Sequence, residues 1–251
     1  MIKKKIYDII NQKGFIFIVL NKGVFMNYIS FFLGYMLKNI YIFFNNYGCA
    51  IIILTILLKT LLLPVSVKQM KSSYILSELN PKIKEIQEKY KNKPEEINKK
   101  ISQIYKENHY NPLSGCLPLI IQMPILLALY WVFRDPVNYG VFLNNNSMEI
   151  ASSNFLWIKT LSKPDVIMAV ISGISAYLMQ INSVSGEKIN AKDSVNVDNV
   201  QKTSRILNVI VPGMSLFWGL YLPSSLTLYW SVSNLVSFLQ YRLINNILYR
   251  G

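Results

Sequence analysis

The stretch GCAIIILTILLKTLLLPVSV, residues Gly48–Val67, decides how this chain is read. A helix rises about 1.5 Å per residue, so some twenty apolar residues cross the roughly 30 Å hydrocarbon core of a bilayer. The main interruptions of this block are Thr55 and Lys59. Working outward, four more apolar blocks follow: Leu113–Phe133, Val166–Asn182, Ile206–Leu222 and Ser224–Leu243. The whole chain of 251 residues is 52% hydrophobic and 16% charged. A soluble domain carries about 25% charge, so this chain is short of the groups that keep a surface wet. An ordinary soluble enzyme, a disordered tail and a disulfide-stapled secreted domain are excluded. The expected fold class is all-α: a polytopic membrane protein of five transmembrane helices, with a cytosolic helical hairpin and an N-terminal interfacial amphipathic helix.

The hairpin is the polar segment 68–112. Ile75, Leu79, Ile83 and Ile86 recur at helical spacing, and Ile97, Ile101 and Ile104 do so again. Between them Pro94, Glu95 and Glu96 mark a helix start, with proline in the first turn and acids near the positive end of the dipole. Residues 134–165, with Asn144, Asn145, Asn146, Ser152 and Ser153, read as loop, and 183–205 as a polar, flexible connection. Pro118, Pro124 and Pro212 imply kinks inside blocks. The third and fourth blocks, about seventeen residues each, suggest local thinning of the bilayer. Upstream, Phe31, Phe32, Tyr35, Met36, Ile40, Phe43 and Phe44 form an amphipathic pattern, with Asn27, Lys38 and Asn45 on the wetter side. Lys3, Lys4, Lys5 and Lys13 before Phe15–Leu20 resemble a signal sequence, yet no small-residue cleavage site or lipobox cysteine follows. Residues 1–25 therefore stand open between a signal, an extension and a start-site artefact. The domain expectation is an N-terminal extension and extracytoplasmic helix over 1–46 and a five-span core over 47–251.

Orientation comes from the basic residues. The formal net charge is +13, and ten lysines lie within 68–112. Lys188, Lys192, Lys202 and Arg205 lie in 183–205, against only Lys159 and Lys163 in 135–165. The positive-inside rule then puts the hairpin and the C-terminus in the cytosol and the N-terminal helix outside, in the cell membrane. Glu78, Glu85, Glu88, Glu95, Glu96 and Glu107 offset much of the lysine, as on a solvated helical face, so nucleic acid is the weaker reading. Cys49, Cys116 and His109 make neither a disulfide framework nor a metal set, and no cofactor or metal is expected. Both cysteines are expected to be small buried residues.

Lys59 is read as the only ionisable residue inside the five blocks, and no Asp or Glu lies in any of them to pair with it. A lysine at the centre of a membrane helix costs roughly 2.5 to 3.5 kcal/mol on insertion scales, so it is a functional candidate by default. Snorkelling to the nearby interface is the bland alternative. Thr55 sits one turn earlier on the same face. Gln122, Gln180, Asn208, Asn234 and Gln240 place amides in or near the other blocks. Singly each suits interhelical glue; together with an unpaired cation they suggest a wet cavity open to the cytosol. No phosphate-binding loop is present to fuel transport. A transporter or channel for small anionic solutes is the alternative function, and a membrane scaffold the third.

Three stretches carry a resemblance: Ile51–Pro64 (IIILTILLKTLLLP) with Lys68 and Gln69, Asn111–Pro124 (NPLSGCLPLIIQMP), and Leu228–Asn234 (LYWSVSN). In composition and order they resemble the YidC family of membrane-protein insertases, over roughly residues 26–245, in the short form typical of Gram-positive bacteria. The resemblance implies a five-span core around a hydrophilic groove, open to the cytosol and lipid and closed outward. It implies that the groove's basic residue is Lys59, where most members have Arg; lysine keeps the charge without the planar fork. Thr55, Gln180, Trp230 and Asn234 are the other groove and substrate-contact positions it implies. The implied activity is a membrane-protein insertase and chaperone, not an enzyme. The implied partners are nascent membrane proteins, the lipid bilayer, the ribosome or signal recognition particle pathway through 68–112, and the Sec translocon.

Overall fold

Two asparagines punctuate the start of the bundle. Residues 25–44 form helix α1, which ends at Asn45 in the left-handed conformation, φ 48°, that asparagine tolerates better than most residues. Asn46 then turns extended, and its Oδ1 accepts the Cys49 N–H at 2.9 Å, capping α2, Tyr47–Leu61. The structure is a computed structural model that describes residues 25–91, 93–111, 117–141, 153–185 and 198–249, without the side chains of 117–119, 181–185, 198–208 and 247–249. Readings that fall on residues 1–24, Asn92, Cys116, Asn144–Asn146, Ser152, Pro118 or the Asn208 side chain lie outside those described.

The block Gly48–Val67 is not one straight helix. α2 stops at Leu61, and α3, Leu63–Lys89, starts at once with its axis bent by 58°. Pro64 supplies the cause. In an unbroken helix its nitrogen would serve the Thr60 carbonyl, but proline has no N–H, and its ring collides with that carbonyl. The chain turns at Leu62, whose N–H reaches back to the Leu58 and Thr60 carbonyls. The expected hairpin then forms from α3 and α4, Pro94–Glu107, with Pro94 in the first turn beside Glu95 and Glu96. Leu79, Ile83 and Tyr110 are buried between the helices, and Ile75, Ile101 and Ile104 pack against them.

The remaining helices are α5, Leu117–Arg134; α6, Val166–Ser185; α7, Asp198–Gly219; and α8, Ser224–Tyr249. α8 packs along α2 and α6 and meets α3 and α5, while α6 also packs on α7. The stretch 183–205 is thus helical at both ends. α5 runs on through Pro124 and α7 through Pro212. α6 and α7 run to 20 and 22 residues, but their described apolar stretches are short, Val166–Gln180 and Val209–Gly219. Among the described residues no single helix is long and apolar enough to cross a membrane; only the bent pair α2 and α3 is, taken together. The reason is visible in α8, where Ser, Thr, Asn and Gln interrupt the apolar run.

Burial is arranged inside out. Ser172, Ser175, Ser215, Ser231, Ser233, Thr55 and Thr227 are buried, while Ile174, Tyr177, Phe217, Trp218, Leu127 and Trp131 are exposed on the outer faces of α5, α6 and α7. Water would oppose that pattern and hydrocarbon favours it. The apolar core gathers at one end of the bundle. It joins Ile51 and Leu54 of α2, Leu129 and Val132 of α5, Met168 of α6 and Leu226 and Tyr229 of α8 to Val141, Ile158 and Leu161 of the 135–165 loop. Ser224 ties that loop to α8, its N–H and hydroxyl both donating to the Lys163 carbonyl at 3.0 and 2.6 Å.

α1 corrects its own sequence pattern. The face that packs on the core is Ser30, Leu33, Gly34 and Leu37, whereas Phe32, Tyr35, Phe43 and Phe44 are exposed and Phe31 stands half-exposed against the Tyr139 ring. Gly34 allows this approach, because a Cβ there would meet the backbone carbonyl of Tyr139. Cys49 is half-buried rather than buried, and His109 is exposed. Because a backbone group cannot rotate away, Gly34→Leu is expected to cost about 1 to 3 kcal/mol, read as a lower unfolding midpoint in detergent. Gly213→Ala, whose Cβ would meet nothing within 4 Å, should leave the midpoint unchanged or raise it.

Candidate functional site

Beside the apolar core, the interior is held by polar side chains. Ser172 of α6 and Ser215 of α7 share a hydrogen bond at 2.7 Å. One turn along α6, Ser175 receives the Asn234 amide of α8 at 3.2 Å. Gln122 of α5 donates to the Tyr229 hydroxyl at 2.7 Å. The amides therefore act first as ties between neighbouring helices, which in hydrocarbon lack a hydrophobic force to hold them together. Sequence reading missed the hydroxyl half of these ties. The spacing of Ser172 and Ser175, three residues apart on one helical face, is the signal that would have found them.

Lys59 lies in the last turn of α2 and is half-buried. The ion pair formed among the described residues is Lys93 with Glu96, 3.0 Å apart on the surface of the hairpin, so no carboxylate meets Lys59 there. Thr55, one turn back, is fully buried and gives its hydroxyl proton to the Ile51 carbonyl at 2.6 Å. Its oxygen keeps acceptor capacity facing the same side of the helix as Lys59. Gln240 of α8 reaches this region, donating to the Lys59 backbone carbonyl at 3.1 Å.

The other predicted positions fall at different depths. Asn234 bridges α8 to α6, and Gln180, half-buried, lies further along α6 than Ser175. Trp230 lines a small recess with Ser172, Ser215, Trp218, Leu222 and Thr227. From Trp230 to Gln240, which binds the Lys59 carbonyl, the helix rises about 15 Å, so Trp230 and Lys59 lie at different depths. Lys59 is also not the sole ionisable residue of the blocks. Arg242 falls within the bounds of the fifth, but it is exposed, with its guanidinium 5.3 Å over the Phe238 ring. Among the described residues no group of three His, Cys, Asp or Glu side chains is placed to hold a metal ion.

Comparison with known proteins adds an independent line. The pattern of the 60Kd inner membrane protein family matches residues 39–250. The membrane protein insertase YidC of Clostridium tetani is 38% identical over 192 residues, 76% of this chain and 78% of that protein. YidC 2 of Listeria innocua is 36% identical over 231 residues, 89% of this chain and 73% of that one. Among solved structures, an active YidC insertase crystal structure with its first transmembrane domain resolved aligns with a TM-score of 0.60 at 26% identity. It covers 85% of this chain, which spans 45% of that longer one.

If Gln122 and Tyr229 tie α5 to α8, a double-mutant cycle of Gln122→Leu and Tyr229→Phe should give a coupling of about 0.6 to 1.7 kcal/mol, the range of hydrogen bonds between membrane helices. Unfolding in mixed micelles measures it.

Proposed function

Because this chain belongs to the 60Kd inner membrane protein family and is a membrane-protein insertase acting on nascent membrane proteins in the lipid bilayer, we propose that its polar half-bundle is the groove through which they pass. It is not an enzyme: no bond is made or broken, and the work is the transfer of polar segments across hydrocarbon. In this reading α2, α5, α6, α7 and α8 are the five spans. The meeting of Met168 near the start of α6 and Leu226 near the start of α8 with Val132 and Phe133 near the end of α5 in one apolar core supports the alternating direction of those three helices. That core closes the outer end. α1 shares it with the 135–165 loop, which supports a place for both outside, with the aromatic face of α1 in the lipid interface and the C-terminus in the cytosol.

The observation that carries the mechanism is Lys59, a cation at the inner end of α2 without a carboxylate among the described residues. An acidic or weakly apolar segment of a nascent chain supplies the missing charge and is drawn in. Asn234 offers hydrogen bonds along the way, Gln180 extends that polar track, and Thr55, buried and bonded to the Ile51 carbonyl, would meet the segment only where the helices part. Trp230, about 15 Å along α8 from Gln240, is met later, as the substrate helix leaves for lipid. The exposed apolar faces of α5, α6 and α7 suit such a lateral exit. The hairpin α3–α4, whose lysines stand in solvent, is the part best suited to meet the ribosome or the signal recognition particle pathway, and the Sec translocon is a further partner in this reading.

Complementation of an insertase-depleted bacterium tests the charge. Lys59→Arg should support insertion of acidic substrates as well as the parent. Lys59→Glu should slow it about tenfold or more, equivalent to roughly 1.4 kcal/mol or above. Full insertion by Lys59→Glu would remove the charge from the mechanism. Ribosome binding through 68–112 should also weaken steeply as salt rises, because lysine–phosphate contacts release counterions.

A further inference from the structure

Pro64 leaves a defect five residues from the proposed centre, and the structure shows what mends it. In an unbroken helix the Lys59 carbonyl would accept the Leu63 N–H. Here the helix ends at Leu61 and the chain bends by 58°, and the side-chain amide of Gln240, 181 residues further on, donates to that carbonyl at 3.1 Å. Helix ends leave carbonyls that need such outside partners. The Gln240 Oε1 is buried and takes no hydrogen bond among the described residues, so the amide is held for its N–H alone. It is also the hydrogen bond that joins α8 to the joint between α2 and α3.

We propose that Gln240 is a positioning residue for Lys59: by binding the backbone carbonyl at the α2–α3 break it sets the bend, and with it the direction of the Lys59 side chain and the tilt of the hairpin. The assignment rests on the reading of Lys59 as the groove cation for its functional meaning, though not for its geometry. The bond goes to the backbone, so it survives any change of the side chain at 59. The arrangement ties the hairpin to the centre of the groove through α8. A partner that tilts the hairpin strains the bond, and breaking it frees both the hairpin and the last turn of α2.

The full-length protein in lipid nanodiscs, with Cys49→Ser and Cys116→Ser, allows two measurements. Spin labels on Glu88→Cys and Tyr221→Cys, both exposed positions, report the hairpin's tilt as a distance distribution. Separately, Lys59→Cys reports the direction of that side chain by its rate of reaction with a water-soluble maleimide. Gln240→Met keeps the side chain's length and apolar stem but removes the donor. It should shift or widen the distance distribution and change the maleimide rate about three- to tenfold, as expected of one lost hydrogen bond. The unfolding midpoint should stay near the parent's, since the unpaired acceptor is lost as well. A folded Gln240→Met with both readouts unchanged overturns the proposal. If that variant does not fold, Gln240→Asn, one methylene too short to reach, is read in the same way. Neither readout uses a substrate. A failure of the hinge role is therefore distinct from insertion by Lys59→Glu, which would sink the charge reading alone.

Discussion

A lysine ammonium set among apolar helices, with no carboxylate on any of the apolar blocks to answer it, is the constraint around which this molecule is arranged. Hydrocarbon tolerates such a charge only where water, a headgroup or a visiting anion can reach it. The bundle answers by dividing its length. One end is packed with Ile, Leu, Val and aromatic side chains from α1, α2, α5, α8 and the 135–165 loop. Beyond it the helices are held by hydroxyls and amides, which bond across α5, α6, α7 and α8 while leaving the interior polar.

That division explains why the apolar helices look poor as membrane spans one at a time. α8 carries serines, Thr227 and Asn234 on the side that faces its neighbours, so its mean apolarity falls even though its outer side chains suit lipid. A helix in a bundle needs an apolar surface, not an apolar composition. The membrane character is clearest in the assembled surface, where Phe217, Trp218, Trp131 and Ile174 stand exposed over buried serines.

The bend between α2 and α3 shows how one local rule organises distant parts. Pro64 stops the helix, the hairpin leaves at a new angle, and the carbonyl released at Lys59 is taken by Gln240 from the far end of the chain. The charged side chain and the joint of the hairpin thereby share one turn of helix.

How far the chain could be read unaided follows the range of the forces involved. Block lengths, the Pro94 helix start and the lysine-rich hairpin are set by local chemistry, so the hairpin and the apolar helices α5 to α8 were legible from order and spacing alone, the break that parts α2 from α3 was not, and Lys59 could be named as a candidate. Thr55 was legible with it, being one turn away on the same helix. Which face of α1 packs inward was not, because Leu33 and Leu37 win over the larger aromatics only where Gly34 lets the loop at Tyr139 come close. Nor was the separation of Trp230 from Lys59, or the ties of Gln122 to Tyr229 and Asn234 to Ser175. Those pairings join residues 107 and 59 positions apart, and only the packing of one helix on another decides which amide meets which hydroxyl.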